Sequence, residues 1–364
     1  MKKTILGGMV VIAAAAVAWQ SGLASDLPLP DQALVDSLFA KDQGETRAAM
    51  MIRNGEVVAE NYAKGYSDQT RFVSWSMAKS VTAVLIGELV ADGKLKLDEP
   101  VPFGEWAQLG DPRRTITLRQ MLHMSSGIDH DEGLDPNDPP EAMLTTDTPM
   151  TLFVTGTQAM AAAGLKKRIE AQAGTKYEYS SITSLLLSEL ITRQLTYSKD
   201  PKVRARAYTQ FAQDRLFKPA GMTNVVLEFD GAGTQVGGSL IYAPLPDWGK
   251  FGQVLLDGKA ADGTVVIAPD WLTFLKTPSK TDPGYGGHFW LNRPRSSENA
   301  SHPALFPGLG PETIFAAVGH LGQYVIISPD QNMVLVRLGK TNDGDLAPVR
   351  KALGEIAATP MRSE

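Results

Sequence analysis

Ser74-Trp75-Ser76-Met77-Ala78-Lys79 contains the sole Ser-x-x-Lys of the chain. Three residues apart on a helix, the two side chains share a face. A serine hydroxyl is a weak nucleophile and needs a base. A lysine supplies one when burial or a neighbouring positive charge lowers its pKa. The start of the helix adds backbone N–H groups and a positive dipole end for a developing oxyanion. Alone the pattern carries little weight, because a chain of this length yields it about once by chance. The plain alternative makes Ser76 an N-cap and Lys79 a solvated side chain. The flanks favour chemistry. Phe72 to Trp75 is largely apolar, and Val81, Val84, Leu85 and Leu89 recur at helical spacing up to Gly93. A buried helix is therefore predicted behind Lys79.

Two further segments carry groups suited to the same reaction. Tyr177-Glu178-Tyr179-Ser180-Ser181 precedes a helix predicted over Ile182 to Arg193. A tyrosine at such a junction points its hydroxyl into a cleft, where ammonium neighbours favour the phenolate and make it a general base or acid. The alternative is a packed tyrosine beside a serine cap. Gly319-His320-Leu321-Gly322-Gln323 falls between two strand patterns. Glycine there permits close backbone approach to a ligand. The N–H of Gln323, with that of Ser76, is a candidate oxyanion hole, and His320 a candidate for holding substrate or tuning the tyrosine. A tight turn with a surface histidine is the alternative.

Working outward, Ala48 to Ile52 and Glu56 to Tyr62 flank Asn54-Gly55, a two-residue hairpin signal. Before it, Asp31 is expected to cap a short helix, Gln32 to Phe39, with Leu34, Val35 and Leu38 on one face. Thr313 to Val318, Tyr324 to Ile327 and Met333 to Leu338 read as strands, with a turn over Ser328 to Asn332. Strands at both ends and helices between them imply an α/β (α+β) architecture: one antiparallel sheet flanked by helices, plus an inserted helical lobe. The cleft between two lobes is a common place for a small-molecule site. The expected organisation is a signal peptide over 1–24, a linker and helix over 25–44, and one domain over 45–364. Its sheet lobe takes about 45–100 and 245–364, its helical lobe about 101–244.

The chain has 364 residues, a net charge of -5 and no cysteine. The acidic balance argues against nucleic-acid binding. The absence of cysteine removes disulfides, a lipoprotein anchor and a thiol nucleophile. Lys2 and Lys3, the apolar stretch Ile5 to Trp19, and Gly22 and Ala24 read as an export signal. An uncleaved N-terminal anchor is the alternative, and either way the body is expected outside the cytoplasm, periplasmic or secreted. The five histidines form neither His-x-His nor His-Glu-x-x-His, so no metal site and no cofactor are expected. Asp129-His130-Asp131-Glu132 reads as a solvated acidic loop, and His123 as structural. Trp75, Tyr285 and Trp290 are candidates to line an apolar cleft.

Taken together the motifs resemble the serine β-lactamase and penicillin-binding-protein superfamily. Ser76-x-x-Lys79 is similar to its first motif, Tyr179-Ser180-Ser181 to the Tyr-x-Asn of class C enzymes, and His320-Leu321-Gly322 to its Lys-Thr-Gly or His-x-Gly. Leu122 to Gly127 (LHMSSG), Gly237 to Trp248 (GGSLIYAPLPDW) and Tyr285 to Asn292 (YGGHFWLN) resemble the branch of 6-aminohexanoate-dimer hydrolases and related esterases. The resemblance spans about Ala48 to Gly339. It implies a β-lactamase-like fold and acyl transfer to water, with Ser76, Lys79 and Tyr179 catalytic and Gln323, His320, Gly322 and Ser181 binding substrate or oxyanion. The substrate expected is a small ester or amide. Ser181 stands where the family has Asn and His320 where it has Lys, which weighs against β-lactam hydrolysis and D-alanyl-peptide recognition. Those activities, and a non-catalytic binding role on the same fold, are the alternatives. Lys340-Thr341-Asn342 mimics Lys-Thr-Gly but lacks the glycine.

Overall fold

The computed structural model describes residues 30–131, 146–296 and 304–360. The signal segment, Glu132 of the acidic loop and most of the N-terminal linker lie outside them. Asn54 and Gly55 both adopt positive φ, 51° and 83°, the conformation a tight two-residue hairpin needs. They join β1 (Thr46–Arg53) to β2 (Glu56–Tyr62). The C-terminal strands β6 (Trp290–Leu291), β7 (Phe315–Gly319), β8 (Gln323–Ser328) and β9 (Met333–Gly339) complete a six-stranded sheet in the order β2-β1-β9-β8-β7-β6. Every pairing in it is antiparallel, with β1 closing against β9. The expected fold class is thus the observed one.

Alternation of side chains divides the sheet into two buried faces. Met50, Ile52, Val325, Val334 and Val336 join the larger core. Met51, Ile326, Met333 and Leu335 join a second one, covered by α1 (Asp31–Ser37) and the C-terminal helix α10 (Leu346–Ala358). On the first face lies α8 (Leu245–Asp257). A Cβ at Gly252 would sit 2.3 Å from Val334 Cγ1, so the missing side chain sets how closely α8 approaches the sheet. In α1 the expected cap is displaced by one residue. Pro30 takes the N-cap position, and Asp31, inside the first turn, pairs instead with Arg53 at 3.1 Å.

Helix α2 (Met77–Ala91) is buried almost all round, with twelve of its fifteen residues in the interior. A helix apolar on every side belongs at the centre of a large fold. It packs between β7 and α6 (Ser181–Leu195), which is itself buried from Ser181 to Thr192. Gly93 at φ 70° releases the chain after α2, as its position in the sequence implies. A small second sheet, β3 (Phe72–Val73), β5 (Ile241–Ala243) and β4 (Val226–Leu227), leads straight into Ser74.

Candidate active site

Ser76, the candidate nucleophile, is presented by a pinned, strained step. The Ser74 amide donates to Ile241 O at 2.7 Å. Its hydroxyl donates to Ser239 O at 3.0 Å and accepts from the Ile241 amide at 3.1 Å. Trp75 follows at φ 45°, a left-handed conformation costing an L-residue roughly 1–2 kcal/mol. Ser76 then takes the N-cap position of α2 without making a capping bond, so its Oγ is left for chemistry. Lys79, one turn on and 1% exposed, reaches Ser76 Oγ at 3.1 Å, Ser181 Oγ at 2.8 Å and Gly238 O at 2.9 Å. Ser181 therefore acts first as a partner of the lysine, a role its replacement of Asn did not suggest.

Tyr179 ends the segment before α6, whose N-cap Ser180 accepts from the Thr183 amide. The Tyr179 ring lies 4.8 Å from Lys79 Nζ and packs on Tyr285 and Trp290. Trp290 and Trp75 line the cavity, whereas Tyr285 is buried behind Tyr179. His130 is no part of a solvated loop. Its side chain is 3% exposed and Nε2 bonds the Tyr179 carbonyl oxygen, so the apparent acidic loop backs the tyrosine.

The third element differs most from expectation. Asn292 N donates to Ile314 O, so the peptide groups of even-numbered residues in this strand face the β6 side, and alternation carries that to Val318 and His320. Beyond Ala316 β6 has ended, and that edge opens on the cavity. Gln323 instead pairs with Gly319 on the β8 side and is absent from the cavity lining. Its buried side chain bonds the His320, Leu321 and Gly339 carbonyls. Gly322 is likewise a turn residue at φ 80°, packed on Arg337. The expected donor Gln323 and contact Gly322 thus belong to the turn's support. Gly319 and His320 line the cavity together with Ser76. A Cβ on Gly319 would fall 2.3 Å from Ser74 O, so only glycine lets β7 come this close. Among the described residues neither the Ser76 nor the His320 N–H has a hydrogen-bond partner. The His320 ring stands edge-on to Trp75, with Nδ1 3.8 Å from Asp343 Oδ1.

These groups share one cavity of about 570 Å3. Thr146, Thr148 and Thr151 form a hydroxyl-bearing wall. Leu305, Leu346 and Arg350 also line the cavity, with Arg350 Nε donating to Tyr324 Oη at 3.3 Å. No carboxylate pairs with Arg350 among the described residues. Sequence reasoning missed Arg350 and the threonines because no motif surrounds them. Gly319 was visible as the glycine that opens the motif.

A serine and a buried lysine at the mouth of a central helix, with a tyrosine and a sheet edge beside them, are the arrangement expected of a serine β-lactamase-type hydrolase. The family described as Beta-lactamase matches residues 32–358, and the chain belongs to it. It is 28% identical over 260 residues to a Bacillus subtilis (strain 168) protein named "Putative penicillin-binding protein PbpX", covering 61% of this chain and 58% of that one. It is 22% identical over 343 residues to the 6-aminohexanoate-dimer hydrolase of Paenarthrobacter ureafaciens, covering 89% and 78%. A penicillin-binding protein homologue from Caulobacter crescentus shares the fold with a TM-score of 0.63 at 17% identity, over 92% of this chain and 99% of that one.

Behind the site His288 is buried at φ 64°, with Nδ1 donating to Leu122 O at 2.9 Å and Nε2 accepting from Ser184 Oγ at 3.1 Å. Burial, with the nearby Lys79 amine adding to it, pushes its pKa down to about 3. Burial pushes His123, stacked on Phe274, to about 4. Between about pH 6.5, where an unfolded histidine binds its proton, and these folded values, the unfolded chain holds more protons. Stability is therefore full above pH 6.5 and falls as the pH drops toward 3, by up to about 8 kcal/mol for the two histidines together at ~1.4 kcal/mol per pKa unit. Thermal melts from pH 7 to 4 should show this slope, and His288→Gln should roughly halve it, His123 supplying the rest. An equally steep slope in that variant would assign the acid sensitivity elsewhere.

Proposed function

We propose that this chain is an exported serine hydrolase that cleaves a small ester or amide through an acyl-enzyme on Ser76. The observation that carries the reading is the placement of Lys79 Nζ between Ser76 Oγ, Ser181 Oγ and Gly238 O. A buried amine gives up its proton more readily than an exposed one. As a neutral amine it donates to Ser181 and Gly238 and keeps its lone pair for the Ser76 proton. Ser76 Oγ attacks the carbonyl carbon, the proton passes to Lys79, and the oxyanion is met by the N–H groups of Ser76 and His320. The Tyr179 hydroxyl gives its proton to the leaving alcohol or amine and recovers one from Lys79. Water then attacks the acyl carbon, and the same groups return the proton to Ser76 Oγ.

Ser181 in place of Asn removes an amide from the site, and β7 (Phe315–Gly319) brings no lysine to it, which favours simple esters and short linear amides over β-lactams. Arg350 qualifies that argument. It brings a cation to the cavity lining, so a carboxylate on the substrate has a partner there. Export is supported by Lys2, Lys3 and the apolar stretch Ile5 to Trp19. N-terminal sequencing of the protein recovered outside the cytoplasm should find the segment before about Ala24 removed; an intact Met1 favours the anchor.

Ser76→Ala should lower p-nitrophenyl ester hydrolysis on the order of a thousandfold or more with the fold intact. Lys79→Ala and Tyr179→Phe should each impair acylation strongly, and the double variant should be little worse than either, because groups passing one proton act as a unit. Steady-state rates on the ester and on nitrocefin, measured with the same preparation, give the substrate class. Undiminished ester turnover by folded Ser76→Ala overturns the mechanism. A nitrocefin kcat/KM equal to that of the ester overturns the substrate preference.

A further inference from the structure

The His320 N–H sits on a three-residue turn, His320-Leu321-Gly322, with Leu321 at φ 60° and Gly322 at φ 80°. Turns are ordinarily the mobile parts of a fold. An oxyanion donor, however, has to be held within about 0.5 Å of its working position. Two buried side chains that no step of the mechanism uses converge on this turn.

Arg337 of β9 is fully buried. Its Nη1 donates to Gly322 O at 2.7 Å and Leu321 O at 3.3 Å, Nη2 to Thr341 Oγ1 at 2.7 Å, and Nε to Thr46 Oγ1 at 3.1 Å. None of these partners is a carboxylate, and burial draws the guanidinium down to about 10. A buried cation with no counter-ion is costly to keep, and here it is surrounded by neutral acceptors that include the turn's own carbonyls. A Cβ on Gly322 would lie 2.5 Å from Nη1, so the glycine is what lets the guanidinium reach the backbone.

Gln323 works from the opposite side. Its Nε2 donates to His320 O at 3.1 Å, Leu321 O at 3.3 Å and Gly339 O at 2.6 Å, while Oε1 accepts from the Gly339 amide at 3.0 Å. By alternation Gln323 shares a sheet face with Val325 and Ile327, in the larger core, and Arg337 shares the other with Met333 and Leu335. The turn is gripped from both faces at once.

We propose that Arg337 and Gln323 are positioning residues that fix the turn carrying the His320 N–H for oxyanion binding while touching no substrate. The inference rests on the acyl-enzyme reading above. A positioning role acts on the transition state, so it should appear in kcat and leave ground-state binding largely alone.

The test compares Arg337→Met, Arg337→Lys and Gln323→Met with Val35→Ala, a buried substitution in α1 that lowers stability away from the site. Each is measured for melting temperature, for kcat and KM on a p-nitrophenyl ester, and for inhibition by phenylboronic acid, whose serine adduct is tetrahedral. The expected result for Arg337→Met and Gln323→Met is a fall in kcat of roughly ten- to a hundredfold, in the range of a weakened oxyanion donor. Boronate affinity should fall with it and KM should stay within about threefold. Arg337→Lys, which retains a donor, should recover part of the loss, and Val35→Ala should melt lower with kcat unchanged. Unchanged kcat in folded Gln323→Met and Arg337→Lys, or losses that merely track melting temperature, would overturn the proposal even if Arg337→Met fails to fold. Ester hydrolysis surviving in Ser76→Ala brings down the parent reading and is seen independently of these variants.

Discussion

The site depends on an amine held in the interior. Lys79 is 1% exposed, and its three acceptors come from three separate parts of the chain: Ser76 at the head of α2, Ser181 at the head of α6, and Gly238 just before β5. An ammonium stripped of water costs several kcal/mol unless polar partners replace the water. The three contacts therefore constrain how the two central helices and the small sheet meet. The same constraint sets the amine against the Ser76 hydroxyl, the contact on which the proposed reaction rests.

The second constraint is closeness. Gly319 brings the open edge of β7 against Ser74 and Trp75, where any side chain would collide with the Ser74 carbonyl. Trp75 pays for this geometry in a left-handed backbone held by the Ser74 bonds to Ile241 and Ser239. Strained residues of this kind persist where the surroundings over-determine them. The result is a pair of peptide N–H groups, of Ser76 and His320, without partners among the described residues and beside the Ser76 hydroxyl that Lys79 contacts.

Much of this was legible in the sequence, for identifiable reasons. Asn54-Gly55 has one favoured backbone solution, so the first hairpin was readable locally. Helix α2 was readable because its apolar positions recur up to a terminating glycine. Ser76, Lys79 and Tyr179 were found through spacing and resemblance, and the structure brings all three together. The oxyanion donor was placed at Gln323, on the assumption that His320 opens the site motif. The register of β7 is set by pairing with β6 and β8, which spacing alone does not reveal, and it makes His320 the candidate donor in place of Gln323. Arg350 was invisible because it reaches the cavity only through the docking of α10 on the sheet. His130 was misread because its neighbours are acidic, while its ring is buried by Tyr179 from about fifty residues away.

The central claim is that Ser76 becomes covalently acylated, and a fluorophosphonate reports on that most directly. The phosphorus takes the place of the carbonyl carbon, and the probe reacts only with a serine that is both deprotonated and flanked by oxyanion donors. Treatment of the folded protein followed by peptide mass spectrometry should give a single stoichiometric adduct on the peptide containing Ser76. An unmodified Ser76 in folded protein, or an adduct on another serine that accompanies loss of ester hydrolysis, would contradict the account.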